Sequence, residues 1–320
     1  MHFYGHCEHE KARFFFEKVT NLTEEMSIHL RLHKIRTFEL DISKVRHYGS
    51  SLLNLSRVHE ATGNYNEAMV LVNKASVLRD VLSKFSSERE VNELSGLDFI
   101  KARIHFLKHD YRHALILYQS FVHGNLRSIP PLQKAAALHG IGKILFEQRR
   151  LESAMSYFRT ALTIRERTHG ESHYEVTETL YMMGRILHDQ DEYVDALEVY
   201  NRAAKIQRII LGVEHISTLK TLSNIAQVSH ILEEHFEALN VCTETIAAGQ
   251  AALGQVHPFI LGMLILRGTL LNEMGRTDSA VVTFERVARM ADTLQQNPED
   301  LLVDLKLFSC RGRNQVAPSA

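Results

Sequence analysis

The sequence predicts an all-α fold, a solenoid of stacked helix pairs, and three observations carry that reading. Six alanines recur in register: Ala68, Ala114, Ala154, Ala196, Ala238 and Ala280. The last four stand 42 residues apart, and the earlier gaps are 46 and 40. Twelve residues before each lies a small residue: Ser56, Ala102, Gly142, Gly184, Ala226 or Gly268. A glycine-and-histidine linker also repeats, with Gly170, Gly212 and Gly254 in register and His173, His215 and His257 three residues after them. Self-similarity at a fixed period of this length marks a repeat array, in which stability comes from stacking one unit on the next.

Within each unit the pattern reads as two antiparallel helices. The first helix carries a leucine sixteen residues before the alanine (Leu52, Leu138, Leu180, Leu222, Leu264), replaced by Asp98 in the second unit. The second helix carries large residues four after it (Val72, Tyr118, Phe158, Tyr200, Cys242, Phe284) and further core residues seven after it (Ala75, Phe121, Ala161, Ala203, Thr245, Val287). Small residue and alanine sit where two backbones approach closely, and the large residues fill the space between pairs. ATGNYNEA (61–68), DQDEYVDA (189–196) and EMGRTDSA (273–280) read as the turns, with Gly63 and Gly275 suited to ending a helix. With Asp98 and Lys101 at positions expected to be apolar, the second unit is degenerate.

Composition limits the function classes. Of 320 residues, 45% are apolar and 23% charged, as in a soluble folded protein. A net charge of −1 supplies none of the global attraction that nucleic-acid binders use. Three scattered cysteines, Cys7, Cys242 and Cys310, fit a reducing compartment and no disulfide scaffold. No stretch approaches the ~20 apolar residues of a membrane span, and the N-terminus has no signal-peptide core. A cytoplasmic protein is expected, without membrane insertion.

These features together resemble the tetratricopeptide repeat, and the longer period narrows the resemblance. HGESHYEVTETL (169–180), LGVEHISTLKTL (211–222) and LGQVHPFILGML (253–264) are similar to the linkers of kinesin light chain repeats. LLNLS (52–56) and TLSNIA (221–226) keep that family's asparagine, as Asn54 and Asn224. The resemblance covers about residues 46–290 and implies a right-handed superhelical solenoid with a concave, peptide-binding groove. It stops short of the motor partnership, because no heptad coiled coil precedes the repeats and only His257-Pro258 keeps the linker proline.

The expected organisation is a partial first repeat with connecting helices (1–45), six repeats without an internal break (46–292), a capping helix (293–309) and a disordered tail (310–320). Residues 8–22 look like the second helix of a repeat, with Ala12 and Phe16 in anchor spacing. Asn297-Pro298-Glu299-Asp300 reads as the start of the cap.

The candidate binding face lies on the first helices. Positions fifteen, eleven and eight before the alanine share one helical face. They read Leu53, Arg57, Glu60; Phe99, Arg103, Phe106; His139, Lys143, Phe146; and Tyr181, Arg185, His188. The last two repeats give Ser223, Gln227, His230 and Ile265, Thr269, Asn272. Four cations in a row, flanked by rings, suit an extended acidic peptide with an aromatic anchor. The alternative is a solvated face whose cations pair with neighbouring carboxylates.

Nineteen histidines raise the question of metal. His105, His109 and His113 would form a row on one helix, but the register puts His109 in a turn, so the three do not share a face. His173, His215 and His257 are a repeat apart, too far to share an ion, and read as linker turns and caps. No phosphate loop, nucleophile elbow or metalloprotease helix occurs. Asp189/Asp191 and Glu233/Glu234 fall in turns, where exposed charge is ordinary. The expectation is a non-catalytic scaffold with no cofactor, metal, nucleic acid or small-molecule ligand. The competing reading is the regulatory arm of a larger protein, such as a nucleotide-binding signalling protein.

Overall fold

The structure, a computed structural model, describes residues 42–85, 96–123 and 129–294. The helix expected at 8–22, the cap at 293–309 beyond Leu294, and the tail lie outside those residues. Twelve α-helices and no strand occur among the described residues. They are α1 (Ile42–Ala61), α2 (Tyr65–Phe85), α3 (Leu97–Leu107), α4 (Tyr111–His123), α5 (Pro131–Glu147) and α6 (Leu151–His169). There follow α7 (Tyr174–Asp189), α8 (Tyr193–Ile210), α9 (Ile216–Ile231), α10 (His235–Leu253), α11 (Pro258–Glu273) and α12 (Thr277–Leu294). The described residues fall into two compact units, up to Ile144 and from Leu145 onward. In the first unit α1 packs on α2, α2 on α3, and α3 on α4. In the second, each helix from α6 to α12 packs on the next.

Three residues join the two helices of every pair, and the chain turns in the same way each time. Five residues before each alanine the backbone enters the left-handed region, at Gly63, His109, Arg149, Asp191, Glu233 and Gly275 (φ between 60 and 78°). The next residue's N–H then reaches back five positions, as from Asp110 to His105 O (2.9 Å) and from Glu234 to Ser229 O (2.9 Å). This is the Schellman geometry, which satisfies carbonyls that a helix end leaves open. Gly63 and Gly275 end helices as the sequence predicts. The other four turns hold side chains at a φ that disfavours a Cβ.

All six register alanines are buried, as are the small residues twelve positions earlier. Gly184 shows why that position is small: a Cβ there would meet the Tyr200 ring at 2.6 Å. Gly268 stands in the same relation to Phe284, at 2.7 Å. Gly140, outside that register, leaves room in the same way for Tyr118 of the preceding repeat, 2.7 Å from where a Cβ would lie. The large residues four after the alanine are buried in five repeats, and burial pushes the Tyr118 hydroxyl well above its ordinary pKa. Cys242 takes that place in the fifth, donating its thiol to Met263 O (3.1 Å), and burial pushes it up to about 12. Phe284 departs from the expectation at 40% exposed. Asp98 breaks the leucine pattern by pairing with Arg79 (3.7 Å), and Leu97 beside it is buried instead.

The linkers follow the same economy. Gly170, Gly212 and Gly254 sit at φ of 81, 85 and 89°, where other residues are strained. The histidine three residues on is the N-cap of the next helix, as the spacing predicts. Nδ1 of His173 accepts from Glu175 N–H (3.2 Å), His215 from Ser217 N–H (3.2 Å) and His257 from Phe259 N–H (3.1 Å). Each satisfies one of the donors left open at a helix start. Pro258 occupies the first helical position, where its missing N–H costs nothing. His215→Ala is expected to destabilise the fold by about 1 kcal/mol, whereas His215→Asn retains most of the cap. Urea unfolding of the two variants beside the wild type measures the difference.

Candidate functional site

The first helices carry a ladder that crosses from repeat to repeat. The residue eleven before the alanine lies over the residue eight before the alanine of the preceding repeat. In the first unit, Lys143 Nζ stands 4.9 Å above the centre of the Phe106 ring. In the second unit, the Arg185 guanidinium carbon stands 4.6 Å above Phe146. One repeat earlier, a carboxylate replaces the ring: Arg103 binds Glu60 with two nitrogens, at 2.6 and 2.7 Å. The Arg103 guanidinium also lies 5.8 Å from the Phe99 ring, which packs against Tyr118 and Phe121. The same register therefore yields a salt bridge or a cation–π contact according to what the preceding repeat offers.

The residues expected to form the binding face differ in exposure. Arg57 is exposed, while Phe99, Arg103, Phe106, His139, Lys143, Tyr181, Arg185, His188 and Asn54 are half-buried. Phe146 is 4% exposed and Asn224 1%, so these two underlie the surface. The Asn224 amide nitrogen is buried without a hydrogen-bond partner. Leu53 and Ser223 are buried as well. The Tyr181 and Tyr200 rings lie 6.0 Å apart, and His188 meets Tyr193 edge-on at 5.6 Å. In each unit, then, a cation lies over a ring at these positions.

Of the four carboxylates expected to be exposed near the turns, Asp191, Glu233 and Glu234 are, and Asp189 is the exception. The Asp189 side chain has no exposed surface and is ion-paired with Arg149. Asp191 is exposed and accepts from the Tyr193 hydroxyl. Arg149 is a turn residue of the preceding repeat, so the pair ties two successive turns of the second unit together. Sequence reasoning missed it because its partners are 40 residues apart.

Two histidine groups come together. In the second hairpin His109 sits in the turn, as the register predicts, with Nδ1 3.0 Å from the Tyr111 hydroxyl. His105 and His113 nevertheless meet, because the turn folds α4 back along α3, and Asp110 lies between them. His105 Nδ1 is 2.9 Å from Asp110 Oδ2, and His113 Nδ1 is 2.8 and 2.9 Å from the two carboxylate oxygens. The His113 hydrogen bond is the main cause that lowers the Asp110 carboxyl to about 2, so it is ionised at neutral pH. The second group is His169, His173 and Glu175 at a linker, where the two rings stack at 3.9 Å.

The tetratricopeptide repeat family matches residues 133–209 and, in a second form, residues 218–259. A search of curated proteins finds no match. Solved structures share the fold at low identity. The apo form of RapI is 14% identical with a TM-score of 0.64, over 93% of this chain and 80% of its own. A Rap protein complexed with competence and sporulation factor is 13% identical with a TM-score of 0.53, over 94% and 80%. A Podosopora anserina kinesin light chain with nearly identical repeats is 17% identical with a TM-score of 0.53, over 62% and 96%.

Proposed function

We propose, for a tetratricopeptide repeat protein whose units resemble those of kinesin light chains, that the chain is a non-catalytic scaffold in the cytoplasm. On this reading it binds an extended acidic peptide with an aromatic anchor on the face of its first helices. The observation that supports this most is the stacking of Lys143 and Arg185 on Phe106 and Phe146. A cation held by its face on a ring is fixed in place before a ligand arrives, which lowers the entropic cost of binding. Its charge then meets a carboxylate with directed hydrogen bonds, bidentate in the case of arginine.

Arg57, half-buried His139, Tyr181 and His188, and the amide of Asn54 extend the proposed site, whereas buried Asn224 does not. Arg103, paired with Glu60 and set beside the Phe99 ring, belongs to the same register. The Rap structure with its bound factor adds support of a general kind, since a protein of this fold takes a partner. Among the described residues no helix is long and apolar enough to cross a membrane.

The test is selection from a random peptide library by the intact protein. Acidic sequences with one aromatic residue are expected to be enriched. Lys143→Glu with Arg185→Glu is expected to weaken the best peptide at least about a hundredfold, since each charged hydrogen bond contributes ~1.5–3 kcal/mol. The helical circular dichroism and the urea midpoint should stay near the wild type. Enrichment of basic or purely apolar peptides, or undiminished binding by the double variant, refutes the reading.

A further inference from the structure

The second hairpin carries a metal site independent of the peptide-binding face. We propose that His105, Asp110 and His113 bind a single divalent d-block cation, with zinc as its abundant representative. Each residue offers one ligand atom, and these atoms lie within 4.8 Å of one another. Two imidazoles and one carboxylate are the donor set such ions prefer over calcium or magnesium, which take oxygen alone. Zinc bonds to nitrogen and oxygen of about 2.0–2.2 Å place tetrahedral ligands roughly 3.3 Å apart. The Nδ1–carboxylate distances of 2.8–2.9 Å need open by only about half an ångström to admit the ion.

The chemistry of the contacts is consistent with this. Both rings turn Nδ1 toward the same carboxylate, so hydrogen now occupies the positions where a cation would lie. Binding requires each ring to present a lone pair at Nδ1 and carry its proton on Nε2, a change of tautomer without loss of the neutral imidazole. Ionised Asp110 supplies a formal negative charge. Three protein ligands leave a fourth position to water, and His113, 64% exposed, leaves a path for entry.

The site has a structural consequence. His105 belongs to α3, Asp110 to the turn and His113 to the first turn of α4, so one ion would clamp both helices of the pair. That pair contains the two shortest helices described, of 11 and 13 residues, in the repeat whose apolar pattern is degenerate. The linker group His169, His173 and Glu175 is a poorer candidate. His173 Nδ1 is engaged as an N-cap, and His169 Nε2 stands 3.7 Å from Glu175.

Zinc chloride titrated into the full chain by calorimetry, with thermal melts at matched zinc, tests the proposal. The wild type should take up zinc and melt higher in its presence. His113→Ala, a change at an exposed side chain, should lose one equivalent or weaken it at least about tenfold, and lose the melting shift. Asp110→Asn should lose affinity in the same way. His109→Ala should retain both, because His109 faces Tyr111. Any uptake by other histidines of the chain is common to all variants and cancels in the comparison. Identical isotherms for wild type and His113→Ala, no zinc uptake by the wild type, or an equal loss in His109→Ala overturns it.

Discussion

Replacing Tyr200 by alanine is expected to destabilise the second unit by about 3–5 kcal/mol, the usual cost of emptying a buried aromatic site. The ring has no exposed surface and lies against Gly184 on the facing helix. Gly184→Ala supplies the complementary test, and its sign depends on the ring. Alanine in a helix interior is favoured over glycine by about 1 kcal/mol. Against that, a Cβ 2.6 Å from a fully packed ring forces a shift that costs about 1–3 kcal/mol. The clash wins, so Gly184→Ala should lower stability in the wild type. In the Tyr200→Ala background the obstacle is gone, and the same substitution should raise stability by up to about 1 kcal/mol. A double-mutant cycle from urea unfolding reads the reversal directly. Equal effects of Gly184→Ala in both backgrounds would show that ring and glycine are not in contact.

Arg165→Met is expected to cost about 2 kcal/mol and to loosen the start of α7. Arg165 is 3% exposed, and it donates to Glu175 O (2.7 Å) and to the Thr179 hydroxyl (2.6 Å). Burial lowers its pKa from the ordinary arginine value, with Glu175 and Glu178 acting in the opposite direction. Breaking a buried pair commonly costs 3–5 kcal/mol because the remaining charge is stranded. Here the Glu175 side chain is 35% exposed, which moderates that penalty although its Oε2 is buried, and the rest of the loss comes from the hydrogen bonds to the backbone carbonyl and the hydroxyl. Methionine fills the volume of the aliphatic stem but donates nothing. Lysine should recover little, since one ammonium does not reproduce the guanidinium fork. Hydrogen exchange at residues 174–180, compared with α12 in the same molecule, distinguishes local loosening from global loss. Uniform acceleration would contradict the assignment.

The fold was legible in the sequence wherever a position restricts its residue to a narrow class. The six alanines and their small partners mark close helix approaches, and the linker histidines mark helix starts. The turns were less legible. Glycine announces a left-handed backbone at 63 and 275, but His109, Arg149, Asp191 and Glu233 adopt nearly the same angles with nothing in their identity to reveal it. Their conformation is imposed by the helices on either side.

The candidate face was legible as a list of residues and not as a set of contacts. Helical periodicity places Arg103 beside Phe99, yet its strongest partner is Glu60, 43 residues earlier, and that pairing depends on how neighbouring repeats stack. Likewise, the turn at His109 takes His105 and His113 off a common helical face, yet that same turn brings both to Asp110. Buried Asn224 illustrates the converse: its motif suggested the surface, and the packing of α9 placed it beneath.

The unvarying bend within each pair has an evolutionary corollary. Three residues join the two helices of each described pair, whereas fully described joints between pairs vary, with four residues at 170–173 and five at 211–215. Growth or shrinkage of such a protein by genetic insertion is therefore channelled to those joints. One extra residue at 211–214 should be accepted, while one at 190–192 would rotate α8 about 100° out of phase with its neighbours.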